Sequence, residues 1–169
     1  MSFELKAPSA PDKPTLYVEL AEQAQALLQG ECDRVANAAN LAALIWHGLP
    51  DLNWAGFYFV HEGAQGRELV LGPFQGKPAC VRIGWGRGVC GTAALELRTQ
   101  VVEDVHAFPG HIACDAASNA EIVVPLLRGA ELLGVLDLDS PLRGRFDEDD
   151  RAGLERLAAI WVASLDAQA

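Results

Sequence analysis

The fold is decided by the stretch EIVVPLLRGAELLGVLDLD, residues 121–139. Its two apolar runs predict strands over 121–127 and 131–139, and strands joined by so short a turn pair antiparallel. Alternation gives the second strand two apolar faces. These faces carry Leu132, Leu136 and Leu138 on one side and Leu133 and Val135 on the other. We therefore expect helices or loops to cover both sides of the sheet.

The flanking sequence supplies the remaining elements. Helical periodicity predicts helices over 16–28, 31–47, 92–97 and 147–165, and shorter apolar runs predict strands over 53–60, 68–72, 79–83 and 99–102. Residues 1–14 contain three prolines and are predicted to be a loose tail, with a single domain over 15–169. Hairpin-linked strands with flanking helices indicate the α+β class, with one mostly antiparallel sheet and helices on both sides.

Composition excludes several functional classes. The 169 residues carry a formal net charge of -10, and no cluster of lysines and arginines offsets it locally. Such a surface repels phosphate groups, so we expect neither nucleic acid nor a membrane as a partner. No apolar run approaches the roughly 20 residues that a membrane span needs, and the N-terminus lacks the apolar core of a signal peptide. A cytoplasmic, reducing environment is therefore predicted, in which cysteines are normally free.

Three acidic residues are predicted to meet at one edge of the sheet. Alternation places Asp137 and Asp139 on the face of Leu133, and Glu121 begins the neighbouring strand. Adjacent, partly buried carboxylates repel each other and the pKa of one of them rises, which gives a protonated acid near neutral pH, as a general acid requires. The alternative for Asp139 is a cap on the turn at residues 140–141. Three acids near one edge favour a functional role.

Four cysteines need an explanation. Cys114 lies in a loop of small residues, 111–117, where a substrate can approach. Cys90 is predicted to come just before a helix, where backbone N–H groups favour a thiolate. Cys80 lies in or beside a short predicted strand. Cys32 falls on the predicted buried stripe of the second helix, so we expect it to be a small core residue, the default for a free cysteine.

Metal and nucleotide sites are the alternatives to thiol chemistry. The sequence has no C-x-x-C or H-x-x-x-H pair, and the gap between Cys80 and Cys90 is long, so no metal site is predicted. The glycines of residues 84–91 are not followed by the lysine of a phosphate-binding loop. They more readily allow backbone amides to approach a small ligand such as a carboxylate.

Four segments together resemble the free methionine-R-sulfoxide reductases, which are single GAF domains. The segments are NWAGFYFV (53–60), LVLGPFQGKPACVRIGWGRGVCGTA (69–93), VEDVHAFPGHIACDAASNAEIVVPL (102–126) and GVLDLDS (134–140). The resemblance runs from about Leu16 to Leu165. It implies a central antiparallel sheet of about six strands with helices on both sides. It also implies thiol-dependent reduction of free L-methionine-(R)-S-oxide, rather than of the oxidised residue within proteins.

The resemblance implies a role for three of the cysteines. Cys114 matches the catalytic thiol, which attacks the sulfoxide sulfur and becomes a sulfenic acid. Cys80 matches the usual resolving position, with Cys90 as the alternative, and the resulting disulfide is reduced by thioredoxin. No bound cofactor is expected, because NADPH enters only through thioredoxin reductase.

The resemblance also implies how the substrate is held. Glu121, Asp137 and Asp139 match the acidic pocket, and we expect Asp139 and Glu121 nearest the sulfoxide oxygen with Asp137 in support, while one acid binds the substrate ammonium group. Trp54 and Tyr58 share a strand face and can form an apolar wall for the S-methyl group. The alternative for these two rings is an ordinary role in the core.

Two further expectations concern assembly and a rival function. Related GAF domains often pair through their terminal helices, so a homodimer is expected. The rival function is a GAF module that senses a small ligand without catalysis. We expect no output domain after the last helix, which favours the reductase. One departure from the family pattern is Trp85, which stands where a smaller residue is expected and can either reshape the pocket rim or be neutral.

Overall fold

Two long hairpins form the centre of the sheet, and a short strand closes each edge. The structure, a computed structural model, describes residues 10–64, 66–110 and 115–166. The strands are β1 (Trp54–Gly63), β2 (Gly66–Gly76), β3 (Arg82–Gly84), β4 (Gln100–Val102), β5 (Ala120–Arg128) and β6 (Glu131–Ser140). They form one six-stranded sheet in the order β3-β2-β1-β6-β5-β4. Every neighbouring pair is antiparallel, which confirms the predicted α+β architecture.

Four α-helices cover the two faces of the sheet. They are α1 (Lys13–Leu28), α2 (Arg34–Gly48), α3 (Gly88–Glu96) and α4 (Glu148–Ser164), and a single 3-10 turn spans Val105–Ala107. The first, second and fourth helices pack on one face, and α3 lies on the other. Asp147 caps α4 through a reciprocal capping box with Asp150, as its position in the sequence predicts. In the described part of the chain, none of these helices is both long enough and apolar enough to cross a membrane.

The larger core lies between the sheet and α1, α2 and α4. Its centre is an aromatic cluster in which the rings of Phe57 and Phe59 lie 5.4 and 5.8 Å from that of Trp161. The smaller core, on the opposite face, surrounds Tyr58 and Val135 beneath α3. Aliphatic and aromatic side chains build both cores. Neither core contains a methionine among the described residues, since the single methionine of the chain is Met1.

The strand β6 departs from simple alternation at one point. Leu126 pairs with Gly134 and Leu127 with Leu132, so Leu133 is an extra, bulged residue. Leu133 consequently packs against the larger core, and the prediction that it shares a face with Asp137 is wrong. Beyond the bulge, alternation is regular and the acidic residues keep their predicted face.

The start of α2 also differs from the prediction. Asp33 caps the helix by accepting hydrogen bonds from the amides of Val35 and Ala36, so the helix begins at Arg34. Cys32 therefore precedes the helix and is exposed, and its predicted place in the core is wrong. At the other end of the chain, α1 begins at Lys13, which shortens the predicted tail by two residues.

Candidate functional site

A cavity opens on the α3 side of the sheet. It lies at the edge where β1 and β5 begin and β6 ends, beside the start of α3. Its volume is about 40 Å³, which is room for roughly three water molecules. The predicted residues Trp54, Tyr58, Cys90, Glu121, Asp137 and Asp139 all line it. The remaining lining residues are Lys77, Pro78, Ala79, Ile83, Arg87, Gly88, Val89, Asp115 and Ser118.

Stacked aromatic rings form one wall of the cavity. The ring of Trp54 lies 5.3 Å from that of Phe74 and 5.8 Å from that of Tyr58, both in stacked geometry. This packing requires a glycine at position 56, because a Cβ there would lie 2.3 Å from the Cβ of Phe74. The indole nitrogen of Trp54 donates a hydrogen bond to the carbonyl of Lys77 at 3.2 Å, which fixes the ring against the segment that leads to Cys80.

Strand register brings the three acids together. Glu121 on β5 pairs directly with Asp139 on β6, and Asp139 also pairs with Trp54 on β1. Glu121 and Asp137 are only 7% and 6% exposed. Side chains on one face of paired strands lie within about 5 Å of each other, so the carboxyl groups share one small volume.

Burial raises the pKa values of all three acids. It is the largest cause for Glu121, followed by the charges of Asp137 and Asp139, and it raises the pKa well above its ordinary value. Burial and the Asp139 charge do the same for Asp137. Burial also raises the pKa of Asp139 to about 7, although a hydrogen bond from the Ser118 hydroxyl opposes the shift. The predicted rise in pKa is confirmed, so this cluster holds protons near neutral pH.

The turn after β6 is capped by another residue. The Ser140 hydroxyl accepts a hydrogen bond from the amide of Leu142 at 3.1 Å. The Asp139 carboxyl group instead faces the cavity and Ser118. A turn cap is therefore not the role of Asp139 in this structure.

Cys90 lies deeper than the sequence predicts. The helix α3 begins at Gly88, so Cys90 is its third residue and is buried. Its Sγ lies 4.0 Å from Oε1 of Glu121. Burial, and then the charges of Asp137 and Glu121, raise the pKa of the thiol well above its usual range. The predicted thiolate at a helix start is wrong here, because burial and then the neighbouring acids outweigh the helix terminus.

The same three residues offer a set of metal-ligand atoms. The Sγ of Cys90 and one carboxylate oxygen each from Glu121 and Asp137 lie within 4.8 Å of one another. One oxygen of Asp137, Oδ1, is buried and has no hydrogen-bond partner. Sequence spacing does not detect this cluster, because its members come from three separate elements.

The start of α3 presents backbone amides to the cavity. No side chain caps the helix, and Gly88 and Val89 line the cavity. The first amides of a helix have no partners within the helix and carry partial positive charge. The preceding loop packs tightly enough that a Cβ at Gly91 would lie 2.5 Å from the carbonyl oxygen of Gly84. The amides at the start of α3 thus face the cavity, as the predicted approach of backbone amides to a small ligand requires.

Several polar residues at the cavity mouth were missed by sequence reasoning. Lys77 forms an ion pair with Asp115 at 3.2 Å, and the Asn53 amide donates hydrogen bonds to Ser118 at 3.0 Å and to Asp115 at 3.3 Å. These contacts join loops that are distant in sequence, so no local sequence pattern predicts them. The position of Asp115 beside a predicted catalytic cysteine is the only sequence signal that points to them.

Three predicted residues remain. Cys80 is partly exposed and is not among the residues that line the cavity. Cys114 belongs to residues 111–114, which lie outside the described part of the chain. Trp85 does not line the cavity; the guanidinium group of Arg67 lies over its ring, 4.3 Å from the centroid. Of the two alternatives for Trp85, this position favours a neutral role over a reshaped pocket rim.

Comparisons with known proteins give consistent matches. The family model described as GAF domain matches residues 23–163. The chain is 54% identical over 154 residues to protein YtsP of Bacillus subtilis, covering 91% of this chain and 93% of that one. It is 52% identical over 148 residues to the free methionine-R-sulfoxide reductase of Escherichia coli, covering 88% and 87%. The X-ray structure of free methionine-R-sulfoxide reductase from Neisseria meningitidis in complex with its substrate is 45% identical, with a TM-score of 0.91 and coverage of 98% and 96%.

Proposed function

This chain belongs to the GAF-domain family of free methionine-R-sulfoxide reductases, and from that membership we propose that it reduces free L-methionine-(R)-S-oxide to L-methionine. The observation that carries the proposal is the cavity in which Glu121, Asp137 and Asp139 face Trp54 and Tyr58. Protonated acids beside an aromatic wall suit a ligand with a polar S=O bond and an S-methyl group.

In the first step, the thiolate of Cys114 attacks the sulfoxide sulfur. The oxygen is transferred to Cys114 as a sulfenic acid, the cysteine loses two electrons, and methionine is released with its sulfur reduced by two electrons. The sulfoxide oxygen must gain a proton, since an unprotonated oxygen is a poor leaving group. Asp115, the residue after Cys114, lines the cavity, and this supports the choice of Cys114 as the attacking thiol.

The acids supply that proton and orient the substrate. Asp139, with a pKa of about 7, is partly protonated at neutral pH, and burial raises the pKa of Glu121 well above its ordinary value and favours its protonated form, so both can donate to the sulfoxide oxygen. Asp137 supports Glu121, because its charge is the second cause of the raised pKa of that residue. Carboxyl oxygens of the cluster accept hydrogen bonds from the substrate ammonium group, and the amides at the start of α3 donate hydrogen bonds to the substrate carboxylate.

In the second step, Cys80 condenses with the sulfenic acid to form a disulfide, which thioredoxin reduces. Cys80 is partly exposed, whereas Cys90 is buried and its thiol pKa is raised. A resolving thiol acts as a thiolate and must be reached by thioredoxin afterwards. Both requirements favour Cys80. We also propose that thioredoxin is the reductant, that the chain forms a homodimer and that it works in the cytoplasm.

Turnover of the separate epimers tests the activity. The purified protein is incubated with dithiothreitol and either free L-methionine-(R)-S-oxide or the S epimer, and methionine is measured. We expect turnover of the R epimer alone. Binding of the R epimer without turnover would instead support the sensing alternative.

Cysteine variants test the assignment of roles. Cys114→Ser is expected to abolish even one turnover. Cys80→Ser should release about one methionine per chain and then stall with thioredoxin as the reductant. Cys32→Ser is the matched control, because Cys32 is exposed and does not line the cavity. Normal recycling by Cys80→Ser together with stalling of Cys90→Ser would reverse the choice of resolving cysteine.

A further inference from the structure

Cys90, Glu121 and Asp137 form a buried cluster that the proposed reaction uses only in part. The three side chains come from α3, β5 and β6, and all are less than one-tenth exposed. Their ligand-type atoms lie within 4.8 Å of one another. In the proposed mechanism, Cys90 has no chemical step, and Asp137 acts only through its neighbour.

The cluster also contains an unsatisfied polar atom. Oδ1 of Asp137 is buried without a hydrogen-bond partner. A buried carboxylate oxygen in this state is costly, by about 1–3 kcal/mol in typical proteins. The described residues that line the cavity include Lys77 and Arg87, but both are exposed residues at its mouth. A small cation inside the cavity would satisfy Oδ1 and take the place of the protons that the cluster otherwise holds.

We propose that Cys90, Glu121 and Asp137 form a binding site for a thiophilic divalent cation such as Zn²⁺, whose occupancy excludes the substrate from the acids. A zinc ion bonds to cysteine sulfur at about 2.3 Å and to carboxylate oxygen at about 2.0–2.2 Å. Two such ligands on one tetrahedral ion lie roughly 3.5 Å apart, somewhat closer than the 4.0 Å between Sγ of Cys90 and Oε1 of Glu121, so a small movement of the side chains would complete the site. A sulfur ligand selects against Ca²⁺ and Mg²⁺, which prefer oxygen alone.

Metal binding at this cluster releases protons rather than breaking ion pairs. The thiol gives up its proton to become the ligand, and the carboxyl groups lose the protons that burial holds on them. Three protein ligands leave a fourth position toward the cavity, for water. Because the same carboxyl groups face the substrate in the proposed function, the ion and the substrate compete. The competition rests on the proposed function, whereas the metal site does not.

A variant with a single thiol tests the site directly. In Cys32→Ser/Cys80→Ser/Cys114→Ser, only Cys90 remains, so a metal–thiolate signal can arise from no other cysteine. Co²⁺ is the probe, because its bond to a thiolate gives a charge-transfer absorption band in the near ultraviolet. We expect a band that saturates at one Co²⁺ per chain and disappears when Zn²⁺ is added.

Variants of the cluster provide the comparison. Adding Asp137→Asn or Glu121→Gln to the single-thiol protein should weaken Co²⁺ binding by about tenfold or more, because loss of even an outer-shell partner commonly costs that much. Asp149→Asn is the matched control, because Asp149 is exposed on α4. Far-ultraviolet circular dichroism checks each variant for folding, and either acid variant suffices if the other does not fold.

Different outcomes test the metal site and the competition between metal and substrate. No band in the single-thiol protein, or a band that both acid variants leave unchanged, overturns the metal site. A saturating concentration of free L-methionine-(R)-S-oxide should weaken apparent Co²⁺ binding in the single-thiol protein, which cannot turn the substrate over. Unchanged Co²⁺ affinity with the sulfoxide present overturns the competition. Failure of the proposed function itself appears separately, in the turnover assay with the unaltered protein.

Discussion

The Tyr58 hydroxyl donates a hydrogen bond of 3.0 Å to the backbone carbonyl of Cys80. Tyr58 belongs to a central strand and is 1% exposed, whereas Cys80 lies in a segment without regular secondary structure. A rigid part of the sheet thereby holds the segment that carries the proposed resolving thiol. The neighbouring bond from Trp54 to the carbonyl of Lys77 acts on the same segment.

Tyr58→Phe is expected to slow disulfide formation more than the release of the first methionine. The change removes one hydrogen bond, which contributes roughly 1 kcal/mol and corresponds to a factor of about five in rate. Rapid quenching, with methionine and free thiols counted separately, measures the two steps. Tyr17→Phe is the control, because it removes a buried hydroxyl bonded to Asp150 on the opposite face of the sheet. Equal slowing by both variants would contradict a local role for Tyr58.

Asp139→Asn is expected to flatten the dependence of stability on pH. Burial raises the pKa of Asp139 from 3.8 to about 7, so the folded protein keeps a proton that the unfolded chain loses. The free energy of unfolding therefore falls as pH rises from about 4 to about 7, by up to about 4 kcal/mol from this group. The variant lacks this contribution, although Glu121 and Asp137 still supply theirs.

Urea denaturation at a series of pH values measures that effect. Asp139→Asn should gain stability relative to the unaltered protein at pH 8 and lose this advantage at pH 4. The exposed Asp149→Asn serves as the control and should leave the pH dependence unchanged. Parallel curves for Asp139→Asn and the unaltered protein would refute the assignment.

Asp150→Asn is expected to destabilise the protein strongly without affecting the substrate site. Asp150 is fully buried and accepts hydrogen bonds from Tyr17, Arg145 and Lys13. Loss of its charge leaves the two cations without their buried partner, and such changes typically cost about 3–5 kcal/mol. Urea denaturation measures the loss, and the KM for the sulfoxide should stay the same. A loss below about 1 kcal/mol would mean that the network relaxes.

Gly56→Ala is expected to raise the KM by disturbing the aromatic wall. The added Cβ meets the Cβ of Phe74 and the ring of Trp54, so one of the stacked rings must move. Overpacking of this kind destabilises by about 1–3 kcal/mol. Gly63→Ala is the control on the same strand, because its Cβ meets mainly the flexible carboxylate of Glu68. Steady-state kinetics and urea denaturation of both variants separate binding from stability.

Regular alternation made much of the fold and the acid cluster predictable. The pattern of β6 places Asp137 and Asp139 on one face, and its pairing with β5 adds Glu121. The prediction failed for Leu133, because a bulge beside Gly134 inserts one residue, whereas the prediction assumed strict alternation. It also failed for Cys32, because the capping Asp33 starts α2 after it.

The unpredicted parts of the site depend on tertiary contacts. The thiol of Cys90 meets the carboxyl groups only once α3 has packed on β5 and β6, which reverses the expected effect of the helix terminus on its pKa. The contacts of Lys77 and Asn53 with Asp115 likewise join separate loops. Local periodicity in the sequence does not predict such contacts between distant segments.

The absence of methionine from both described cores affects how the fold responds to oxidants. Oxidants convert methionine from a flexible apolar side chain into a polar one and thereby disrupt packed interiors. The described cores offer no thioether to such oxidants, and Met1 lies outside the described residues. Oxidation of methionine, the chemistry that would produce the proposed substrate, therefore cannot alter the packing around Trp161 or the core beneath α3 in the described part of the chain.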